Sequence, residues 1–576
     1  MKSVCRLLFP ILFGALVVCA AGAGVAPDQD MGLPSTTGLV VTTSAIASDT
    51  GAAILNRGGN AVDAAVATAF ALAVTHPSAG NIGGGGFMIV RLPAGKKYAF
   101  DYREKAPLGS RPDMYLDAQG KINRGLTSEG YLAPGVPGTV RGLELAHKRL
   151  GKLPWKDLVI PAVRLAAEGF VISKSLANEL NRQLGGAMGR YPSSVAAYGK
   201  PDGSRWAPGD RMVLHDLAKT LQAIADGGAD AFYKGWIADR IAEDMKANGG
   251  LITKADLAAY RAKEREPLTG RFRGFEVICM PPPSSGGVAL IEMLNILENS
   301  DLKKYGRYAP ETLHLMIEAM RRAYLDRARF LGDPDYTRIP VSRLISKEYA
   351  GKLAAAINPA RASSSVELGK DIVSVIQDPE SEETTHFSVL DKDGMAVANT
   401  YTLEGGYGSR VVVKGAGFLL NNEMGDFNKK PGETNITGDI GTRPNLIAPG
   451  KRMLSSMTPT MVTRGGKVIL ITGSPGGRTI INTVLSIVLG VTEFGMNGSE
   501  AVASARMDHE WLPDETTLEE GAVPAEVLAR LTAMGHNVRM RGRQGDGHSI
   551  FIDPAAGVAY GVNDKRSPDS KASKYP

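Results

Sequence analysis

At Thr384 the chain changes character within a single residue. The stretch before it, DPESEE, is acidic and unpatterned, whereas the stretch after it, TTHFSVLDKDGMAVANTYT, alternates on both sides of an Asp-Lys-Asp-Gly turn. Period-two alternation around such a turn predicts a β-hairpin. A solvated segment therefore runs directly into a sheet, and two threonines stand at the joint.

The texture differs on either side of that joint. From Ser44, SAIASDTGAAILNRGGNAVDAAVATAFALAVTHP predicts two helices, one stopped at Gly58-Gly59 and an Ala-rich one over Val62–Val74 ended by Pro77. AGNIGGGGFMIVRL then runs a glycine cluster into an apolar strand. It lacks the spacing and the Lys-Ser/Thr partner of a phosphate loop, so a tight, buried backbone crossing is expected. From Leu126 to Asn358 apolar residues recur at three-to-four spacing, a mostly helical region interrupted by the strand GFEVICM. Asn358–Glu383 loses periodicity and reads as exposed and mobile. After Thr384 strands and glycine turns dominate, including GSRVVVKGAGFLLNNEM and GGKVILITGSPGG, followed by the helix TIINTVLSIVLGV. The polar tail NDKRSPDSKASKYP is expected to fray.

The N-terminus carries Lys2 and Arg6, an apolar run from Leu7, and small residues around Ala21–Ala23, the pattern of a secretory signal peptide over residues 1–23. Its apolar run is short for a bilayer span and contains Pro10 and Gly14. The expectation is an exported protein, periplasmic or secreted, with no stable membrane span. Cys5 and Cys19 lie in the leader, which leaves Cys279 alone, without an internal disulfide and predicted to be buried. A formal charge of +6 over 576 residues, with Lys and Arg scattered, gives no footprint for nucleic acid.

Chemistry narrows by exclusion. The eight histidines form no H-E-x-x-H and no Cys/His cluster at ligand spacing. GSPGG misses the nucleophile elbow G-x-S-x-G by one position. A threonine can act as nucleophile when it is N-terminal and its own α-amine takes the proton. That amine titrates near ~8 in model peptides, so much of it is unprotonated near neutral pH. An internal threonine gains such an amine only if the chain is cut just before it. On the residues alone the plainer reading prevails, since a Thr-Thr pair opening a strand is usually only a pair of β-formers in a sheet.

Several blocks, in order, resemble the γ-glutamyltransferases: AGNIGGGGFM, DYREKAP, ETTHFSVLDKDGMAVANTYTLEGGYGS, LLNNEMGDF, KRMLSSMTPT and TGSPGG, within a match from about Gly38 to about Arg566. The resemblance implies an α/β chain with the four-layer αββα fold of N-terminal-nucleophile hydrolases. It implies a precursor that cuts itself between Glu383 and Thr384 into a large subunit (24–383) and a small one (384–576) that stay together as a heterodimer. It implies cleavage of glutathione and other γ-glutamyl compounds, transfer to water, amino acids or dipeptides, and no metal or organic cofactor.

Carried over by position, Thr384 would be the nucleophile, Thr402 would orient it, and Gly476 and Gly477 would form the oxyanion hole. Arg103 with Ser455 and Ser456 would hold the substrate carboxylate, and Glu423 with Asp426 the ammonium. Strand periodicity places Thr400 and Thr402 on one face. Two positions depart from the pattern. Glu404 stands where many members have an asparagine that helps hold the substrate's amino end. In the lid segment, KPGETNITGDIGTRPNLIAPGKRMLSS, Thr437 stands where some have an aromatic gate. Two alternatives accompany this reading. One is a glutaryl (cephalosporin) acylase of the same fold, disfavoured because a glutaryl group lacks the ammonium that the acids would neutralise. The other is an unprocessed, inactive homologue acting as a binding protein.

Overall fold

The computed structural model describes residues 30–373, 384–553 and 555–574. The leader, the acidic stretch DPESEE and Glu383 lie outside the described residues. Two seven-stranded antiparallel sheets form the centre of the molecule. The first runs, from edge to edge, Lys571–Lys574, Gly38–Thr42, Thr385–Asp391, Ala396–Thr402, Gly85–Arg91, Lys97–Asp101 and Lys263–Arg265. The second runs Leu33–Ser35, Ala559–Val562, Ser549–Ile552, Lys467–Thr472, Thr460–Arg464, Phe275–Cys279 and Leu268–Phe272.

Side-chain alternation sorts each strand between two cores. In the first sheet, Val40, Met88, Val90, Val389 and Val397 pack against the helices Ala45–Asn56, Ala61–Thr75 and Trp155–Glu168. Leu39, Val41, Ile89, Leu390 and Ala398, one residue out of phase, face Val277, Met461, Leu470 and Ile550 of the second sheet. The outer face of the second sheet is covered by Gly286–Leu297 and Ile480–Thr492. Helix, sheet, sheet, helix is the expected four-layer order.

The Ala-rich helix is buried along its whole length, which requires small side chains, because sheet and neighbouring helices approach it on all sides. Its start is fixed by a reciprocal cap: Asn60 Oδ1 accepts from Val62 N and Asp63 N, and Asp63 accepts from Asn60 N at 3.0 Å. The same carboxylate accepts from Lys152 N and Leu153 N, tying the helix to the next connection. Cys279 is buried as expected.

Three expectations need correction. The polar tail does not fray through residue 574: Lys571–Lys574 pairs with Gly38–Thr42, and Ala572 and Ser573 are buried. GSRVVVKGAGFLLNNEM forms no strands, only the bridge Val412–Leu419, because its side chains fill the first core from turns. The segment after Asn358 is docked rather than loose as far as Val373. Ser365 is fully buried, its carbonyl accepts from Trp511 Nε1 at 2.8 Å, and its N–H donates to Asp514 at 2.8 Å.

Asp63→Ala should leave three backbone donors without their acceptor. The expected cost is about 3 kcal/mol, read as a fall of several degrees in the thermal midpoint, with Asp63→Asn intermediate.

Candidate active site

The hairpin predicted around Asp-Lys-Asp-Gly is present as Thr385–Asp391 and Ala396–Thr402, at the middle of the first sheet. Thr385 lies opposite Tyr401, so Thr384 continues the strand to the level of Thr402; both threonines are buried and line one cavity of about 350 Å3. The glycine cluster is the tight crossing expected. A Cβ on Gly84 would stand 2.0 Å from the carbonyl oxygen of Thr402. Asn81 locks the same turn, donating to Thr402 O and accepting from Gly84 N, both at 2.9 Å.

Beneath the threonines runs a buried polar line on the same face. Ser388 Oγ donates to His548 O at 2.8 Å, so it must accept from His386 Nε2, 3.1 Å away. His386 Nδ1 is then an acceptor, and Thr400 Oγ1 donates to it at 2.8 Å. Burial holds the His386 pKa well below its usual value, so the ring is neutral. Gly473 makes room for it, since a Cβ there would stand 2.3 Å from the ring. The strand Lys467–Thr472 then turns through Gly476 and Gly477, both at positive φ, into Ile480–Thr492. Gly477 lines the cavity, whereas Gly476 accepts from Thr479 N and Oγ1 and is not among the lining residues.

The other wall of the cavity is charged. Arg103 ends the run DYR; its Nη1 lies 2.6 Å from Glu423 and 3.5 Å from Glu104, its Nη2 pairs with Asp426, and its Nε donates to Met453 O. The oxygens of Glu104 and Glu423 are buried with no hydrogen-bond donor. Burial raises the Glu104 carboxyl to about 8 and Glu423 well above the usual range; Arg103 opposes both shifts, and neighbouring carboxylates reinforce them. Glu404 also faces the cavity; its amide donates to Thr402 Oγ1 at 2.8 Å and its carboxylate accepts from Asn422. Its φ of 79° is left-handed, a conformation in which asparagine is far better tolerated than glutamate.

Ser455 and Ser456 are positioned by the turn after Phe275–Cys279. Ser285 donates twice to Ser455 O, from N at 2.7 Å and from Oγ at 2.6 Å. Ser456 Oγ accepts not from Arg103 but from Arg327 Nη2, at 3.1 Å. The lid segment reaches the opposite side: Asp439 pairs with Arg124 at 2.6 Å, and Thr437 is folded onto Asn435. The structure thus gathers Thr384, Thr402, Glu404, Arg103, Glu423, Asp426, Ser455, Ser456 and Gly477 around one cavity.

Sequence reasoning missed Glu104, His386 and Arg327. Glu104 sits next to Arg103, and His386 is one alternation step past Thr384, so both were within reach of pattern reading. Arg327 lies in a long amphipathic helix, and nothing local distinguishes it. Away from the cavity, His314, Glu318 and His536 converge among the described residues. His314 Nε2 donates to Asn358 O, so His314 Nδ1 accepts from His536 Nε2, and both nitrogens of His314 are occupied, leaving His536 Nδ1 as the one ring nitrogen of the pair without a partner. Glu318 is occupied by Arg321, Arg322 and Ser363, whose two guanidinium groups would repel a cation. The group suits a structural hydrogen-bond chain better than a metal.

A carboxyl near 4.5 in the unfolded chain and near about 8 in the fold stabilises the fold below the lower value, and that contribution is lost as pH rises through the upper one. Thermal midpoints of wild type and Glu104→Gln, measured in parallel, should therefore diverge between about pH 5 and about pH 8, with wild type losing ground.

A family model for gamma-glutamyltranspeptidase matches residues 47–574. A glutathione hydrolase proenzyme of Escherichia coli (strain K12) is 44% identical over 580 residues, covering 99% of each chain. Cephalosporin acylase from Bacillus halodurans superposes with a TM-score of 0.82 at 26% identity, covering 98% of this chain and 100% of its own. Gamma-glutamyltranspeptidase of Helicobacter pylori is 45% identical with a TM-score of 0.55, covering 59% of this chain and 95% of its own. With the family pattern spanning both sheets and every wall of the cavity, the chain belongs to the gamma-glutamyltranspeptidase family.

Proposed function

We propose that the chain is a precursor that cuts itself before Thr384 and then acts as a glutathione hydrolase and γ-glutamyltransferase. The observation that carries this reading is the charge beside Thr384. Buried Glu104 and Glu423 lack hydrogen-bond donors, and with Asp426 they place three carboxyl groups around one guanidinium. Such a cluster favours a ligand that brings an ammonium. A γ-glutamyl group brings one, with its α-carboxylate on the same carbon and the reacting carbonyl further along the chain.

In maturation, Thr384 Oγ attacks the Glu383 carbonyl and the C–N bond breaks, moving the acyl group from nitrogen to oxygen. Water hydrolyses this ester, leaving the Glu383 carboxylate and a free Thr384 amine. In turnover that amine takes the hydroxyl proton as Oγ attacks the γ-carbonyl, and returns it to the departing amine. The γ-glutamyl ester is then taken by water or by an amino acid or dipeptide. Thr402 orients the nucleophile, and the Gly476–Gly477 turn, at the entry to Ile480–Thr492, supplies N–H donors for the oxyanion.

The shared sheets favour a large (24–383) and a small (384–576) subunit that remain together, because Thr385–Asp391 and Ala396–Thr402 are flanked by Gly38–Thr42 and Gly85–Arg91. Export, to the periplasm or the medium, rests on the leader. No helix among the described residues is long and apolar enough to cross a membrane. The acylase alternative is weaker on charge, since a glutaryl donor would leave the carboxyl cluster uncompensated, and the relative named a hydrolase is the more similar in sequence.

Thr384→Ala should abolish both the cut, seen as one band on a denaturing gel, and p-nitroaniline release from γ-glutamyl-p-nitroanilide. A variant that still matures would remove Thr384 from the role.

A further inference from the structure

We propose that the ion pair Arg124–Asp439 is a latch on the segment that walls the cavity beyond Asn428, and that this latch sets how the γ-glutamyl ester divides between water and an acceptor. The inference rests on the γ-glutamyl reading above and deepens it.

The segment closes at a narrow base. Asn428 N donates to Asn445 O at 2.9 Å, its side-chain amide donates to Thr442 O at 2.7 Å, and Gly432 N donates to Gly441 O at 2.8 Å. Its tip is a small loop tied by its own side chains. Asn435 Oδ1 accepts from Thr437 N, Thr437 Oγ1 and Asp439 N, and Asn435 Nδ2 donates to Asp439 Oδ2 at 2.9 Å. A loop held this way keeps its shape when it shifts. Thr437, Gly438, Asp439 and Ile440 of the tip line the cavity.

Two arginines from outside the segment hold the tip. Arg124 Nη2 lies 2.6 Å from Asp439 Oδ2, so this pair joins the part of the chain before Thr384 to the part after it. Arg478 Nη1 reaches Gly438 O at 3.4 Å, while its Nη2 donates to Leu512 O at 3.1 Å and Glu510 O at 3.3 Å. Gly438 is packed against the same group: its φ is 108°, and a Cβ there would stand 3.1 Å from Leu512 O and 3.2 Å from Arg478 Nη1. Arg478 follows Gly477 directly, and its carbonyl accepts from the Tyr324 hydroxyl, so the tip rests against the glycine turn of the cavity.

The two contacts differ in kind. Arg478 Nε lies 2.7 Å from Glu510, which already balances its charge, and its bond to Gly438 is long. Arg124–Asp439 is the short, charge-assisted contact, with side chains 36% and 17% exposed. A pair this open shifts an equilibrium only about two- to fivefold and is screened by salt, so it holds the tip without locking it. In transfer, an acceptor amine attacks the ester carbonyl, the C–O bond to Thr384 Oγ breaks, and that oxygen takes the proton the amine loses. Water does the same in hydrolysis. An amino acid or dipeptide needs the completed wall to rest on as it attacks, and water does not. The latch therefore favours transfer.

On matured enzyme with γ-glutamyl-p-nitroanilide and glycylglycine, the ratio of γ-glutamyl-glycylglycine to free glutamate reads the partition. Arg124→Gln should lower that ratio and raise the acceptor KM about two- to fivefold, with hydrolytic kcat little changed. Arg124→Lys should retain most of the ratio. Raising NaCl from about 0.05 M to about 0.5 M should lower the ratio in wild type and leave Arg124→Gln unmoved. Amide hydrogen exchange over residues 430–441 reads the latch without turnover and should quicken on adding salt to wild type, which covers a variant that fails to mature. An unchanged partition in Arg124→Gln, a salt response as large in the variant as in wild type, or exchange indifferent to salt would overturn the latch. Wild type whose tip exchanges as expected but which releases no p-nitroaniline would instead overturn the γ-glutamyl reading itself.

Discussion

The hairpin Thr385–Thr402 is held from both sides by strands that precede it in the chain. Gly38–Thr42 pairs with its first strand and Gly85–Arg91 with its second, so its position in the first sheet is fixed by long-range hydrogen bonding rather than by its own turn. Thr384 sits at the end of that clamped strand, and the glycine crossing at Gly84 presses the backbone against Thr402. One face of the hairpin carries Thr384, His386 and Ser388, and the cavity lies at its open end. A cut before Thr384 would sever the chain at the mouth of the cavity and leave the sheet's hydrogen bonds in place.

Charge at the Arg103 wall of that cavity is unbalanced. The acidic end is over-supplied with carboxyl groups for the one guanidinium it contains, which is why burial drives Glu104 and Glu423 toward the protonated form. A ligand that brings an ammonium would relieve that excess, which is the ground on which the proposed γ-glutamyl reading disfavours a glutaryl donor.

Local pattern made much of this legible. The hairpin was readable from alternation around Asp-Lys-Asp-Gly, the Ala-rich helix from its composition, and the buried crossing from four consecutive glycines. The four-layer order came from the family resemblance, not from periodicity. What escaped depends on partners distant in sequence. Lys571–Lys574 reads as a frayed tail because its pairing strand begins at Gly38, and GSRVVVKGAGFLLNNEM reads as strands because apolar alternation also suits turns packed on a core. Ser365 is buried only because Trp511 and Asp514 meet it. Among site residues, Glu404 and Glu423 were named by position from the family resemblance, but the competition of three carboxyl groups for Arg103 appears only in three dimensions. Arg327 is hidden in an ordinary helical pattern.

The central claim is that an internal threonine becomes the first residue of a chain. N-terminal sequencing, with intact masses, of the fragments in the purified protein tests it directly. The account predicts two associated chains, the smaller beginning Thr384-Thr385-His386. A single uncut chain, or a small fragment beginning at any other residue, would contradict it.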